Sequence, residues 1–64
     1  MRWSARFESR RFVIEQDEAA GFYLYVFSGE TCTHDYLQDT FEHAVDQANQ
    51  VFGVPANAWT TGGH

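Results

Sequence analysis

The longest hydrophobic run in the chain lies near its middle, between a glycine and a serine. Phe22–Phe27 contains six consecutive large apolar or aromatic residues. Because side chains alternate in an extended strand, one face would carry Phe22, Leu24 and Val26, and the other Tyr23, Tyr25 and Phe27. A strand that is apolar on both faces belongs in the middle of a sheet that is covered on both sides. The run therefore predicts a central β-strand, and it is too short for a membrane span, which needs about 20 apolar residues.

Two further strands flank this central run. The segment Arg10–Gln16 contains alternating β-branched and aromatic residues, which favours a strand. The segment Thr31–Leu37 is mixed on both of its faces, which is typical of a strand at the edge of a sheet. The connections Asp17–Gly21 and Ser28–Glu30 are both short and contain glycine, so they predict tight turns in an antiparallel arrangement.

One helix follows the strands. Its apolar residues recur at helical spacing and form a single stripe: Phe41, Ala44, Val45, Ala48, Val51 and Phe52. Asp39 and Glu42 have the spacing of a capping box, which predicts that the helix begins after Asp39. Gly53 is suited to the position just after the helix, and Pro55 prevents its continuation.

The two ends of the chain are less regular. Residues 1–9 alternate Trp3, Ala5 and Phe7 with polar residues, which predicts either an additional strand or an arm whose aromatic side chains lie on the sheet. Trp59 is expected to fold back over the helix end or a sheet edge. Residues 60–64 are predicted to be a disordered tail.

These elements predict one domain, spanning residues 1–64, of the α+β class. It would be a three-stranded antiparallel β-meander followed by one α-helix packed on one face (β-β-β-α), with an extra N-terminal strand or arm. The helix would cover either the face with Phe12, Ile14 and Leu24 or the opposite one. In the first arrangement the uncovered face would show an aromatic patch larger than a monomer usually exposes.

That patch is the candidate interaction face, and its predicted residues are Tyr23, Tyr25, Phe27, Trp3 and Phe7. One interpretation is a protein–protein or self-association surface. The other is that Trp3 and Phe7 fold over the three strand residues and cover them within the same chain. A stacking platform for single-stranded nucleic acid is disfavoured, because it would need more flanking cations than this chain carries.

The length of the chain makes self-association attractive. A domain of 64 residues buries only about 60% of the surface that its unfolded chain exposes, so it usually needs a disulfide, a metal or a partner. The single cysteine excludes an intrachain disulfide, and no Cys/His spacing fits a zinc site. Oligomerisation or an unusually aromatic core remains, and aromatic residues make up 17% of the chain.

Charge is distributed unevenly along the sequence. All four cations, which are arginines, lie in the first eleven residues with only Glu8 against them, a local sum of +3. The remaining residues carry eight carboxylates and neither lysine nor arginine, so the net charge is −5. This argues against a nucleic-acid partner. It favours docking of the N-terminal segment on its own domain or on a second copy, although a simply solvated polar segment would look the same.

Candidate chemistry is sparse. Cys32 and His34 share a face of a regular strand, but they would lie roughly 6.5–7 Å apart, too far for a thiol–imidazole hydrogen bond. The histidines His34, His43 and His64 have no paired spacing for a metal. We therefore predict no catalytic residue, no metal and no cofactor. The alternative is a small-molecule-binding protein or an enzyme that uses the aromatic face with Cys32 and His34.

The residues at the start of the helix carry a family resemblance. The sequence 37–44 reads Leu-Gln-Asp-Thr-Phe-Glu-His-Ala and follows a central strand that begins with glycine and aromatic residues. This pattern resembles the N-terminal domain of HicB-type antitoxins and their stand-alone relatives over residues 11–52. The chain departs from that pattern at Gln38, where the family has glycine, and at residues 29–32, which replace a Gly-Cys turn. No DNA-binding module follows the helix.

The resemblance implies a β-β-β-α module that dimerises and binds protein without catalysis of its own. Together with the residue patterns, it predicts a small non-enzymatic interaction or regulatory module that forms a homodimer and has an unidentified protein partner. The first eleven residues lack the apolar segment of a signal peptide, and one thiol suits a reducing compartment. The chain thus reads as a complete cytoplasmic protein with no membrane association.

Overall fold

A computed structural model describes residues 1–61 and places them in one α+β fold. Five antiparallel strands form a sheet of order β4-β3-β2-β1-β5, and one helix packs against β2, β3 and β4. The elements in chain order are β1 (Arg2–Phe7), β2 (Arg10–Asp17), β3 (Gly21–Ser28), β4 (Thr31–Gln38), α1 (Phe41–Phe52), a 3₁₀ turn (Ala56–Ala58) and β5 (Thr60–Thr61).

The N-terminal segment is a strand and not an arm, so the sheet has more strands than the three of the predicted meander. Strand β1 pairs with β2 in a register that sets Trp3 opposite Ile14 and Ala5 opposite Phe12. Residues directly opposite each other in an antiparallel pair share a face. This register therefore directs Trp3, Ala5 and Phe7 to the helix side of the sheet, where they pack against the core.

The hairpin loops follow local backbone preferences. Glu8 and Ser9 connect β1 to β2 with positive φ angles of 50° and 67°, the pattern of a type I′ turn, which matches the twist of two paired strands. Between β2 and β3, the Asp17 carboxylate accepts the backbone N–H groups of Ala19 and Ala20, each at 2.9 Å. This Asx-type turn satisfies two loop donors that would otherwise depend on water.

The core lies between the sheet and the helix. Its buried members are Ala5, Phe12, Ile14, Leu24, Val26, Ala44, Ala48 and Val54. The helix thus covers the face of β3 that carries Leu24 and Val26, and the ring of Phe52 lies 5.4 Å from that of Phe12. Val51 was predicted to belong to the buried stripe, but it is 56% exposed because it lies beyond the β4 edge of the sheet.

The helix ends as its sequence predicts. Gly53 adopts a left-handed conformation with φ 82°, which glycine tolerates without steric cost. Its N–H donates to the carbonyl of Asn49 at 2.8 Å, and the N–H of Val54 donates to that of Ala48 at 3.3 Å. Val54 is fully buried and closes the end of the core.

The segment after the helix returns to the sheet. Trp59 packs against the core, as predicted for a large side chain in this position. Thr60 and Thr61 form β5 beside β1, and the Thr60 hydroxyl donates to the carbonyl of Ser4 at 3.3 Å. The prediction of a disordered tail is therefore wrong for these two residues, and for residues 62–64 it lies outside the described part of the chain.

The start of the helix differs from the predicted capping box. Thr40, and not Asp39, is the N-cap residue, and its hydroxyl accepts the N–H of His43 at 3.1 Å. With Thr40 as the cap, the third helical residue is His43, so Glu42 is one residue too early to reach back to the cap amide. Threonine and aspartate both cap well, and the two adjacent candidates cannot be ranked from the sequence alone.

We expect Thr40→Ala to lower the free energy of unfolding by about 1 kcal/mol, the usual value for losing an N-cap side chain. Asp39→Ala removes only a favourable interaction with the helix dipole, a few tenths of a kcal/mol at most sites. Urea denaturation of the two variants measures the difference. Equal losses would contradict Thr40 as the single cap, and a larger loss for Asp39→Ala would show that Asp39 is the cap.

Candidate interaction surface

The sheet face opposite the helix, here called the open face, is the candidate site. No helix in residues 1–61 packs on it, because α1 and the segment after it both lie on the core side. By strand alternation and register, its central residues come from β2, β3 and β4 in three rows: Glu15–Tyr23–Leu37, Val13–Tyr25–Asp35 and Arg11–Phe27–Cys32. Arg2, Ser4 and Arg6 of β1 extend these rows.

Aromatic rings form the middle of the open face. The rings of Tyr23 and Tyr25 are stacked, with centroids 5.8 Å apart and planes 13° from parallel. The ring of Phe27 follows at 6.5 Å from Tyr25. The guanidinium carbon of Arg11 lies 4.4 Å from the centroid of Phe27, a cation–π geometry that fixes this arginine over the aromatic row.

The open face is partly desolvated within a single chain. A shallow groove of about 430 Å³ runs across it, lined by Arg2, Arg11, Val13, Glu15, Tyr25, Phe27 and Cys32. Val13, at the floor of this groove, is only 6% exposed, because longer neighbouring side chains cover it. Leu37, in contrast, is 50% exposed at the β4 side of the face. The face therefore combines a fixed aromatic centre with apolar surface that water still contacts.

The hydroxyl of Tyr25, at the centre of the open face, stays protonated. Burial raises the pKa of the Tyr25 hydroxyl, and the carboxylates of Glu15 and Asp35 add to this effect. Tyr25 is therefore a neutral hydrogen-bond donor at physiological pH. Arg2 and Glu15 form an ion pair in which both side chains are 40% exposed or more, so it adds little to stability.

A β-bulge separates the two residues of the alternative chemical hypothesis. Val26 pairs with His34 and Phe27 with Cys32, so Thr33 is an extra residue and the alternation of β4 changes sign there. Cys32 consequently lines the open-face groove, whereas the His34 ring lies on the helix side, 5.3 Å from that of Phe52. The prediction that Cys32 and His34 share a face is wrong.

The hydrogen bonds of these two residues agree with that separation. The Cys32 thiol donates to the backbone carbonyl of His34 at 3.4 Å, not to its ring. The Nδ1 atom of His34 lies 3.0 Å from the hydroxyl of Thr33. An imidazole on the opposite face cannot activate this thiol as a nucleophile.

The five aromatic residues of the candidate face also divide between the two sides of the sheet. Tyr23, Tyr25 and Phe27 share the open face, as predicted. The Trp3 ring instead lies 4.4 Å from that of Phe41 under the helix, and Phe7 packs beside Gly53. These two residues therefore neither extend the open face nor cover it. The sequence held a signal for this placement, since Trp3, Ala5 and Phe7 alternate with polar residues as in a strand. Read as a strand paired with β2, the segment has these three side chains on one face.

The described part of the chain contains neither a cluster of metal-binding side chains nor a helix that could span a membrane. Within residues 1–61, no group of three His, Cys, Asp or Glu side chains is arranged to hold a metal ion. The helix of this part is too short and too polar to cross a bilayer.

Comparison with known protein families, with curated proteins and with solved structures finds no significant match to this chain. The resemblance to HicB-type antitoxins thus stays a prediction.

Proposed function

We propose that this chain is a small non-enzymatic protein-interaction module that self-associates through its open face. The observation that carries this proposal is the aromatic row Tyr23, Tyr25 and Phe27, which lies on the side of the sheet that no helix of residues 1–61 covers. A row of three rings beside a half-exposed Leu37 is the composition of an interface centre.

The thin core supports the same proposal. One helix shields one face of the sheet, and the core cluster lies between them, whereas Val13 is the one buried hydrophobic residue on the open face of the described chain. A domain of this size gains stability when a partner removes further apolar surface from water. Association through the open face would supply that burial without any change in the fold.

The alternative, a ligand-binding protein or enzyme that uses Cys32 and His34 on the aromatic face, has less support. His34 lies on the helix side of the sheet, and the open-face groove contains only Cys32 of the pair. A role as a regulator of a protein partner, as the HicB resemblance implies, and a cytoplasmic location both fit the proposal and remain predictions.

A thermal melting series tests the proposed function. We expect the melting temperature of the unmodified protein to rise with protein concentration, because association stabilises the folded state by mass action. In Tyr25→Glu, a charge at the centre of the open face would be buried on association, so this dependence should disappear.

Gln50→Glu is the matched control, since it adds the same charge at an exposed position of the helix. It should melt with the concentration dependence of the unmodified protein. A melting temperature that is independent of concentration in the unmodified protein, or equal dependence in both variants, would contradict association through the open face.

A further inference from the structure

We propose that a second copy of the chain closes the open face, related by a two-fold axis that runs parallel to β3. This inference rests on the proposed self-association and adds its geometry. In this arrangement β3 of one copy lies along β3 of the other, and β2 of each copy lies over β4 of the other. The two sheets would form a β-sandwich with its aromatic rows at the centre.

The two sides of the open face carry charges of opposite sign. Strands β1 and β2 contribute Arg2, Arg6 and Arg11, whereas β4 contributes Asp35 and no cation. Two carboxylates of β2 lie on the same side, but Glu15 is paired with Arg2, and Asp17, at the end of the strand, accepts the N–H groups of its own turn. One side of β3 is therefore positive and the other negative, so the face is complementary to itself only in some orientations.

Two orientations of a two-fold axis stack this face on itself with the strands of the two sheets aligned. An axis perpendicular to the strands, through the row of Tyr25, would set β4 over β4 and bring the two Asp35 carboxylates opposite each other. It would also set Arg2 over Arg6 of the second copy. The Arg11 side chains would lie over Glu15, but Glu15 is already paired with Arg2. Like charges in a desolvated interface are strongly unfavourable. An axis parallel to β3 sets Asp35 over Val13 of the second copy, next to the row that contains Arg11.

The parallel axis also suits the apolar residues. Leu37, half exposed in one chain, would lie over the side chain of Glu15 of the second copy, in the row next to Val13, and each Phe27 ring would meet its equivalent across the axis. A stable interface buries about 800 Å² on each partner. The accessible surface of the described chain is 4198 Å², so such an interface would take about a fifth of it.

Isotope-filtered NMR on a mixture of labelled and unlabelled unmodified protein tests this arrangement. The filter selects magnetisation transfer between copies, so contacts within one chain do not contribute. We expect the Val13 methyl groups to show intermolecular contacts with Asp35 and Leu37 of the second copy. Contacts between Val13 and Val13 of the second copy, without contacts to β4, would overturn the parallel axis and leave the proposed function intact.

Intermolecular contacts confined to helix residues would overturn both the geometry and the open face as the interface. The absence of any intermolecular contact, together with a monomeric mass, would overturn self-association itself. The failure of the geometry is thus distinguishable from the failure of the proposed function.

A charge exchange gives a second, independent readout. Asp35→Arg and Arg11→Glu should each weaken dimerisation by about tenfold or more, because each sets like charges against each other across the interface. The double variant restores an opposite-charge pair and should recover most of the affinity. Additive losses in the double variant, in proteins that keep the circular dichroism of the unmodified chain, would show that these two side chains do not meet.

Discussion

Replacing Phe12 with alanine is expected to unfold most of the protein at room temperature. Phe12 has no accessible surface and packs between the sheet and the ring of Phe52. Removing a buried phenylalanine side chain costs about 3–5 kcal/mol. A 64-residue domain has a total stability of about 3–10 kcal/mol, so this single loss is comparable to the whole. Circular dichroism and urea denaturation of Phe12→Ala measure the effect.

Val51→Ala is the matched control for this prediction. The helical periodicity of the sequence assigns Val51 to the apolar stripe, yet its side chain is more than half exposed. We expect its free energy of unfolding to change by less than about 0.5 kcal/mol, as for most surface substitutions. A loss as large as that of Phe12→Ala would mean that the helix is rotated about its axis relative to this structure.

Gly21→Ala should be almost as damaging, for a different reason. Gly21 starts β3 with a φ angle of 124°, which residues with a side chain rarely adopt, and an added Cβ would overlap the carbonyl oxygen of Gln38 in β4. Backbone strain of this kind costs about 1–3 kcal/mol, and displacing packed backbone adds a similar amount. We expect a total loss of about 2–6 kcal/mol in urea denaturation.

Gly29→Ala separates the two causes. Gly29 also has a positive φ angle, 62°, but a Cβ there would meet nothing within 4 Å. We therefore expect only the cost of the left-handed conformation, about 1 kcal/mol. Equal losses in the two variants would show that conformation alone, and not the approach of β4, explains the requirement for glycine at position 21.

The central part of the fold follows from strong local patterns. The run Phe22–Phe27 is apolar on both faces, which is typical of a strand in the interior of a sheet, and here β2 and β4 flank it. The end of the helix at Gly53 and the turn at Asp17 depend on side-chain and backbone properties that a sequence shows directly. Tyr23, Tyr25 and Phe27 share a face for the same reason, since alternation within one uninterrupted strand is regular.

What could not be predicted depends on tertiary register. Because of the bulge at Thr33, Cys32 lies on the open face and His34 on the helix side of the sheet. A single extra residue gives no recognisable pattern in a strand of eight residues. Trp3 and Phe7 lie on the helix side only because β1 pairs with β2 in one particular register. The exposure of Val51 depends on how far the sheet extends below the helix.

Sedimentation equilibrium of the unmodified protein tests self-association through the open face most directly. The chain has a mass of 7.4 kDa. We predict that the weight-average mass rises with concentration toward twice that value, and that Tyr25→Glu keeps the monomer mass over the same range. A mass of 7.4 kDa for the unmodified protein up to high micromolar concentration would contradict the account, because the open face would then stay uncovered.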